Sequence, residues 1–424
     1  MSTQSTPSIL FTHRSPQQGF RLLELPPELA DLLSSDNPPT LELKSPVPLA
    51  TSGTGSTATP GSEYVDLCTP SQTYSIRQVQ SSNSLHVLRP SNGFGVRKHD
   101  LRIVGGGSQE QGDGEDMDMD EKDLNIDGTV TSIAKCASTL ELHTPAEGFS
   151  AAPFFASLLR VYDKGVWEDG DGDENAGGMD RAEAIKMVRV AIDRVFGDVP
   201  VSRAQCERDW VEMCAFVLLG YAATGENGPS TSTSSCWRPS AEMRLNVWKR
   251  VVEGAVLQGI DLGKQFLVED LWKSVLDDDG LAPFPRPLFE AVVLRICGLA
   301  DRAERGFAES EMKWTSIDKK TCIRWVGAIY LEATAIGAGS AVGESEFMNA
   351  WKDQLPETWR GDVSISVLPR NCYLHPEPKT ICFATELDRQ KVKKNLPTDA
   401  SAATAAKKTR NWHELFKNQK RQKR

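Results

Sequence analysis

The stretch Tyr64-Val-Asp-Leu-Cys-Thr-Pro-Ser-Gln-Thr-Tyr-Ser-Ile-Arg-Gln-Val-Gln80 decides how the front of this chain folds. Within it, Thr73, Ser75, Arg77 and Val79 alternate with Gln72, Tyr74, Ile76 and Gln78. A period of two puts alternate side chains on opposite faces, which is what a half-buried strand needs. Working outward, Glu63–Cys68, Phe20–Leu25, Leu41–Lys44, Leu85–Leu88, Thr129–Cys136 and Thr139–His143 read as further short extended segments. Several short strands broken by turns predict a small β-barrel or sandwich.

Two stretches interrupt these strands. Ser45–Ser62 is rich in Ser, Thr, Pro and Gly, which reads as a flexible loop. Gly105–Gly128 contains Glu110–Asp123, eight acids against one lysine, which repels itself and stays solvated. Both predict disordered insertions.

From about Phe149 the spacing becomes helical. Arg181–Phe196 carries Ile185, Val188, Ile192 and Val195 on one face, and Ser202-Arg-Ala-Gln205 behind Val201 is a capping box. That box predicts a helix running through Trp210 and Phe216, followed by a polar loop over Gly225–Ser235. Further helices are expected over Ala241–Gln258, Val268–Leu276 and Leu288–Cys297, the last behind Pro287. Thr315-Ser-Ile-Asp318 starts another, with Cys322, Val326, Ile329 and Ala333 on one face. Glu344–Gln354 is helical up to the break at Pro356, and Val363–Leu368, Cys372–His375 and Thr380–Ala384 read as extended. Helices followed by a short β-ribbon follow the order of a winged helix, a helix-turn-helix variant. The expected class is therefore α+β. Residues 1–17 are expected to be disordered and 18–148 to form the β-domain. Winged-helix domains are expected over 149–240, 241–310 and 311–385, with a basic linker and tail over 386–424.

Charge adds a constraint. The 424 residues hold 48 Lys/Arg and 58 Asp/Glu, net −10, which argues against a uniformly basic nucleic-acid binder. Residues 1–180 hold 12 basic and 26 acidic side chains, whereas 386–424 hold 12 and 4. An acidic front and a basic tail point to different partners at the two ends. The longest apolar run, Met213–Ala223, is far too short to span a membrane, and the first thirty residues show no secretory leader. Nine cysteines without a C-x-x-C pair support neither a disulfide framework nor a zinc site, so a reduced compartment is expected.

No motif argues for an enzyme, a metal or a cofactor. Gly259-Ile-Asp-Leu-Gly263-Lys264-Gln265 is one residue too short for a phosphate-binding loop and lacks its hydroxyl. Gly105-Gly106-Gly107 runs into the acidic tract. Asp169-Gly-Asp171-Gly-Asp173 has Glu174 where a calcium loop needs glycine, which leaves a solvated acidic loop. The six histidines form no ligand-spaced pair, and His86 and His143 read as structural residues in strands. Trp210, Trp248, Trp272 and Trp325 fall at helical spacing among apolar residues and read as core. Lys313, Lys319, Lys320 and Arg324 are a candidate DNA-contact patch or simply the polar face of one helix. Lys417, Lys420, Arg421, Lys423 and Arg424 suit a nuclear-import signal or phosphate contact.

Tyr64-Val-Asp-Leu-Cys-Thr69, Gln72-Thr-Tyr-Ser-Ile-Arg77 and Ser82-Asn-Ser-Leu85 together resemble the signature of the "defective in sister chromatid cohesion" family. In that family a strand ending near Cys/Thr precedes a K/Q-T-Y-x-[IL]-[RK] strand and an S-N-[ST]-L turn. Phe20-Arg-Leu-Leu-Glu-Leu25, Phe284-Pro-Arg-Pro-Leu-Phe289, Lys313-Trp314, Trp359-Arg360 and Trp412-His-Glu-Leu-Phe416 agree with it. The resemblance covers most of 18–416. The basic 386–424 stretch and the size of the inserts depart from the pattern.

The resemblance implies a non-catalytic, nuclear subunit of an alternative replication factor C clamp loader, the one built on the "chromosome transmission fidelity" large subunit. Its N-terminal strands would interlock with a small subunit and the C-terminus of the large subunit in a shared β-barrel module. Tyr64, Val65, Leu67, Thr73, Tyr74, Ile76, Arg77, Ser82, Asn83 and Leu85 are the partner-binding positions it implies. The winged helices would reach the catalytic subunit of DNA polymerase epsilon and, weakly and without sequence preference, DNA. The replication factor C small subunits and the sliding clamp PCNA are implied as indirect partners. The other reading is a winged-helix transcriptional or chromatin regulator, which would not need the front signature.

Overall fold

The computed structural model describes residues 11–13, 16–45, 65–90, 130–146, 148–163, 181–222, 231–297 and 313–384. Tyr64, nearly all of the Ser/Thr-rich insert, the acidic insert, the Asp169–Asp173 loop and the basic tail lie outside the described residues. The chain divides into two compact units, Met1–Ser150 with Pro200–Gln205, and Ala151–Val199 with Cys206–Arg424.

The first unit is a sheet built on two long strands. Its elements are β1 (Phe11–His13), β2 (Leu22–Glu24), α1 (Pro27–Leu33), β3 (Glu42–Lys44), β4 (Asp66–Cys68), β5 (Thr73–Pro90) and β6 (Val130–His143). The strand order is β1-β6-β5-β4-β3, and β2 also pairs with β6. β5 and β6 run antiparallel from Ser75↔His143 to Pro90↔Val130, while β1 and β2 lie parallel to β6. Where several short strands were expected, the described residues of these segments fall in two: Thr73–Gln80 and Leu85–Leu88 belong to β5, and Val130–Cys136 and Thr139–His143 to β6. The polar Ser82-Asn-Ser-Leu85 signature is not a turn. Gln80 pairs with Ser138 and Leu85 with Cys136, so Ser81–Ser84 bulge opposite Ala137 alone.

The expected barrel or sandwich is likewise corrected: among the described residues the sheet is open. Closure needs tilt and stagger sustained around every strand. Here the outer strands are three residues each and the ends of the sheet do not meet. A small core closes one end, where Leu29 of α1 packs with Leu67 and Tyr74, flanked by Leu41, Ile76 and Leu142. α1 starts with Pro27 in its first turn, where the missing N–H costs nothing.

The second unit alternates helices with short strands, so the chain as a whole is α+β. It holds α2 (Ala152–Leu158), β7 (Arg160–Tyr162), α3 (Arg181–Gly197) and most of α4 (Arg203–Glu212), then β8 (Phe216–Ala222), β9 (Thr231–Pro239) and α5 (Ala241–Gln258). β10 (Phe266–Leu267), α6 (Val268–Val275), α7 (Arg286–Ile296), β11 (Trp314–Thr315) and α8 (Lys319–Thr334) follow. β12 (Val342–Gly343), α9 (Glu344–Asp353), β13 (Tyr373–Leu374) and β14 (Thr380–Phe383) complete it. The strands form three small sheets, ordered β7-β9-β8, β10-β11 and β12-β14-β13.

Three local readings change here. α4 ends at Glu212 rather than continuing through Phe216, because Cys214 at φ 53° turns the chain into β8. The end of the polar loop, Thr231–Ser235, is the start of β9, paired with β8 from Ala222↔Thr231 to Phe216↔Trp237. Val363–Leu368 is not extended; 3-10 turns occupy Glu357–Asp362 and Ile365–Val367. The helix after Thr315 also starts later than its capping pattern suggests. Asp318 is the N-cap, its carboxylate accepting from the Lys320 and Thr321 amides, while Thr315 sits in β11.

One continuous hydrophobic core runs through this unit from Tyr162 and Phe216 to Trp351 and Ile381, and Trp248, Trp272 and Trp325 are buried in it. Buried indoles need partners for their N–H groups. Trp351 Nε1 donates to the Ile323 carbonyl at 3.1 Å and Trp248 Nε1 to the Gln354 carbonyl at 2.8 Å. Trp210 closes a second aromatic cluster with Phe155 and Phe196. Beside it the buried Asp209 carboxylate accepts from the Ala151 and Ala152 amides at 2.6 and 3.3 Å, anchoring the start of α2.

Packing leaves no room for a side chain at Gly254, where a Cβ would lie 2.3 Å from the Ser274 carbonyl oxygen, or at Gly327, where it would lie 2.4 Å from the Trp351 ring. Gly327→Ala is expected to destabilise the protein by about 1–3 kcal/mol, the usual cost of overpacking. Gly197→Ala, at a helical position with open space around it, is expected to be neutral or slightly stabilising. Urea denaturation midpoints of the two variants check this. Burial also pushes the Cys214 thiol up to about 11 and the Cys322 thiol well above its ordinary value. A thiol that stays protonated only in the folded state contributes stability that is full below about pH 9. That contribution is lost as pH rises through about 11. Melting temperature is therefore expected to fall between pH 9 and 11, and Cys214→Ser to flatten that fall.

Candidate partner-binding strand edge

The front signature folds into a hairpin-like corner. Pro70 and Thr69 make the turn between β4 and β5, with Thr69 Oγ1 accepting from the Gln72 amide at 2.8 Å and the Ser71 amide at 3.3 Å. A threonine hydroxyl that takes nearby amides is a local substitute for a backbone turn. Period-two alternation then sorts the side chains. Leu67 and Tyr74 point into the small core, and the Tyr74 hydroxyl, raised in pKa by burial, donates to Gln72 Oε1 at 2.6 Å. Ser75 donates to the Asp66 carboxylate at 2.7 Å. Burial raises the Asp66 pKa, opposed by that hydrogen bond and by His143.

Thr73 does a different job. It is 1% exposed, and its Oγ1 accepts from the Ser202 amide at 2.7 Å and donates to Gln205 Oε1 at 2.7 Å. Ser202 Oγ also donates to Gln205 Oε1, at 2.8 Å, and the Ala204 amide donates to the Pro70 carbonyl. The β4–β5 turn and the capping box of α4 are thus one hydrogen-bonded network. Nothing in the local pattern of either stretch signals this pairing, because the partners lie 129 and 132 residues apart.

Beyond this corner β5 has an open side. β4 pairs only with Thr73–Ser75, and the Val65 carbonyl accepts from the Ile76 amide. From Arg77 to Pro90, no strand among the described residues pairs with the edge of β5 opposite β6. Arg77 reaches across the β5–β6 ladder instead, holding Glu141 through Nε at 3.1 Å and Nη2 at 2.7 Å. Leu85 and Leu88 are 43% and 48% exposed, and Phe11, Phe20 and Leu43 of this unit also show large apolar surface. Unpaired strand edges with apolar side chains are templates for another strand.

The signature residues therefore divide into two sets. Leu67, Thr73, Tyr74 and Ile76 are internal, and Arg77 is tied to Glu141. Val65, Ser82, Asn83 and Leu85 are exposed. Leu88 joins the second set; its place in Leu85–Leu88 was legible as extended, but its exposure was not. Tyr64 lies outside the described residues. The candidate DNA patch does not come together as one cationic surface. Lys319 Nζ is 2.6 Å from the Asp362 carboxylate and also donates to the Thr358 carbonyl, while Lys320 and Arg324 are exposed. Lys313 precedes β11, and its carbonyl accepts from the Val268 amide. Lys417, Lys420, Arg421, Lys423 and Arg424 lie outside the described residues.

Residues 20–401 match the family model of the sister chromatid cohesion protein Dcc1. The chain belongs to the Dcc1 family. The match takes in the β4–β5 corner and all the helices described above. Family membership places the chain among proteins of sister chromatid cohesion. No curated protein matches the chain. No helix among the described residues is long and apolar enough to cross a membrane.

Removing the Thr73 hydroxyl leaves the Ser202 amide buried without an acceptor. Thr73→Val is expected to cost about 1–3 kcal/mol and to speed hydrogen exchange at Ser202, while Thr73→Ser keeps most of the stability. Urea titration and residue-level exchange check both.

Proposed function

We propose that this Dcc1 family chain is a non-catalytic adaptor subunit of an alternative replication factor C clamp loader. In this reading it acts in the nucleus, linking the loader to DNA polymerase epsilon and DNA to support PCNA loading, replication and cohesion. One observation carries the reading: a cohesion-family chain presents a long strand edge, Arg77–Pro90, with no partner among the described residues. Its direct partners are the large and small subunits of the chromosome transmission fidelity loader, each completing the open sheet by strand addition. Contact with the replication factor C small subunits and with PCNA is indirect.

The second unit supplies the remaining contacts as winged-helix modules. The order α8, β12, α9, then the β13–β14 hairpin, with β12 antiparallel to β14, supports this for the last module. Where a groove-reading helix would follow α9, the chain makes 3-10 turns, and Asp362 in the first of them holds Lys319. Such a module favours docking to the polymerase over reading bases. Lys320 and Arg324 remain for phosphate contact. Catalysis and cofactors have no part in the proposal.

Leu85→Lys with Leu88→Lys puts two charges on the open edge at exposed positions, so folding is expected to be unchanged. Co-purification with the large and small loader subunits is expected to fall at least tenfold; wild-type capture by the variant contradicts the adaptor reading. Duplex binding is expected to be weak and indifferent to sequence. Lys320→Ala with Arg324→Ala should flatten the log–log salt slope by about 0.9 per lost phosphate contact. Fluorescence anisotropy on two unrelated duplexes checks this. A strong preference for one duplex at high salt would favour a transcriptional regulator instead.

A further inference from the structure

We propose that the open edge of β5 is two strand-docking sites rather than one, and that the distal site selects an acidic, apolar extended segment of a partner chain. The inference rests on the adaptor reading and names what its edge accepts. The register carries the first half. Four residues, Ser81–Ser84, stand against the single residue Ala137, so the edge is interrupted between Arg77–Gln80 and Leu85–Pro90. A bulge bends its strand and adds local twist, so one straight incoming strand cannot follow both halves. The proximal half offers four residues, about 14 Å of ladder, and the distal half six, about 20 Å. A second register shift lies within the distal half, but its extra residue, Ile133, belongs to β6, with Val87 paired to Ala134 and Leu88 to Ser132, so β5 itself runs on without an inserted residue there. Pro90 has no N–H to donate, which ends the distal ladder.

Charge separates the two sites. In the proximal half Arg77 is already neutralised by Glu141 across the ladder. From Gln78 to Pro90, and from Val130 to Ser138 on β6, the cationic side chains are Arg89 and Lys135, and no carboxylate occurs. Alternation places Leu85 and Leu88 on opposite faces of β5, so the occupant needs apolar side chains on both faces. An extended segment combining these with Asp or Glu opposite Arg89 meets both demands, and its cross-strand ion pairs are exposed and screened by salt.

The test is residue-level hydrogen exchange on the full chain, alone and in complex with the large and small loader subunits. Assembly is expected to slow the outward-facing amides of 77–80 and of 85–89 about tenfold or more, leaving 81–84 unchanged. Raising salt from about 0.1 to about 0.5 M is expected to erode the distal protection first. Arg89→Glu is expected to remove distal protection while the proximal half stays protected. Continuous protection from 77 to 90 overturns the proposal, as does distal protection indifferent to salt and to Arg89→Glu. Concentration-dependent protection of the chain alone would assign the edge to a second copy and overturn it too. An assembled complex with no protection in 77–90 overturns the proposal but leaves the adaptor reading standing. Failure to assemble at all defeats the adaptor reading itself.

Discussion

The hydrogen-bond ladder between β5 and β6 is the constraint on which the first unit depends. Both strands are long; β1, β2 and β4 each pair with one of them, and β3 joins the sheet through β4. β6 is covered on its outer side by β1 and β2, whereas among the described residues β5 is covered over its first residues by β4 and not beyond. The ladder thus leaves one long side of the sheet to hydrogen-bond elsewhere. Backbone N–H and C=O groups are obligatory partners of something, whether water or a strand. Among the described residues, those of β5 beyond β4 have no strand partner on that side, and Leu85 and Leu88 lie beside them with large apolar surface.

Stability of the corner next to that edge comes from a different source. Thr73 spends its hydroxyl on the Ser202 amide and the Gln205 side chain, and Tyr74 and Leu67 close a small core against Leu29. A three-residue apolar centre is slight for a sheet of this size. Buried hydrogen bonds with full partners add specificity where apolar area is scarce, because breaking one strands a polar group away from water. Several of the residues that make the family signature recognisable therefore hold the scaffold, and the neighbouring Ser82, Asn83 and Leu85 are exposed.

The second unit solves its packing on a larger scale. Its core is continuous across helices and three small sheets, and aromatic side chains fill it. Indole N–H groups of Trp248 and Trp351 are paid for by carbonyls at the ends and middle of neighbouring helices. Gly327 exists because Trp351 leaves no room for a side chain. Desolvation raises the thiol pKa of the buried Cys214 and Cys322, which keeps them protonated within this core.

Local chemistry was legible wherever one stretch of chain decides its own conformation. Alternation in Ser71–Gln80 located the strand, the spacing over Ala241–Gln258 located α5, and the Ser202 capping box located the start of α4. The family signature was legible too, since the motif residues are contiguous. The end of α4 at Glu212, the strand character of Thr231–Ser235 and the bulge at Ser81–Ser84 were not, because each is settled by the strand it pairs with. Residue type alone could not separate Thr73, which is buried in a network spanning 129 residues, from Leu85, which is exposed. Sequence by itself determined the class of most elements and the family. Only the tertiary structure decided which edge stays open and which signature residues face inward, because strand pairing and burial depend on partners distant along the chain.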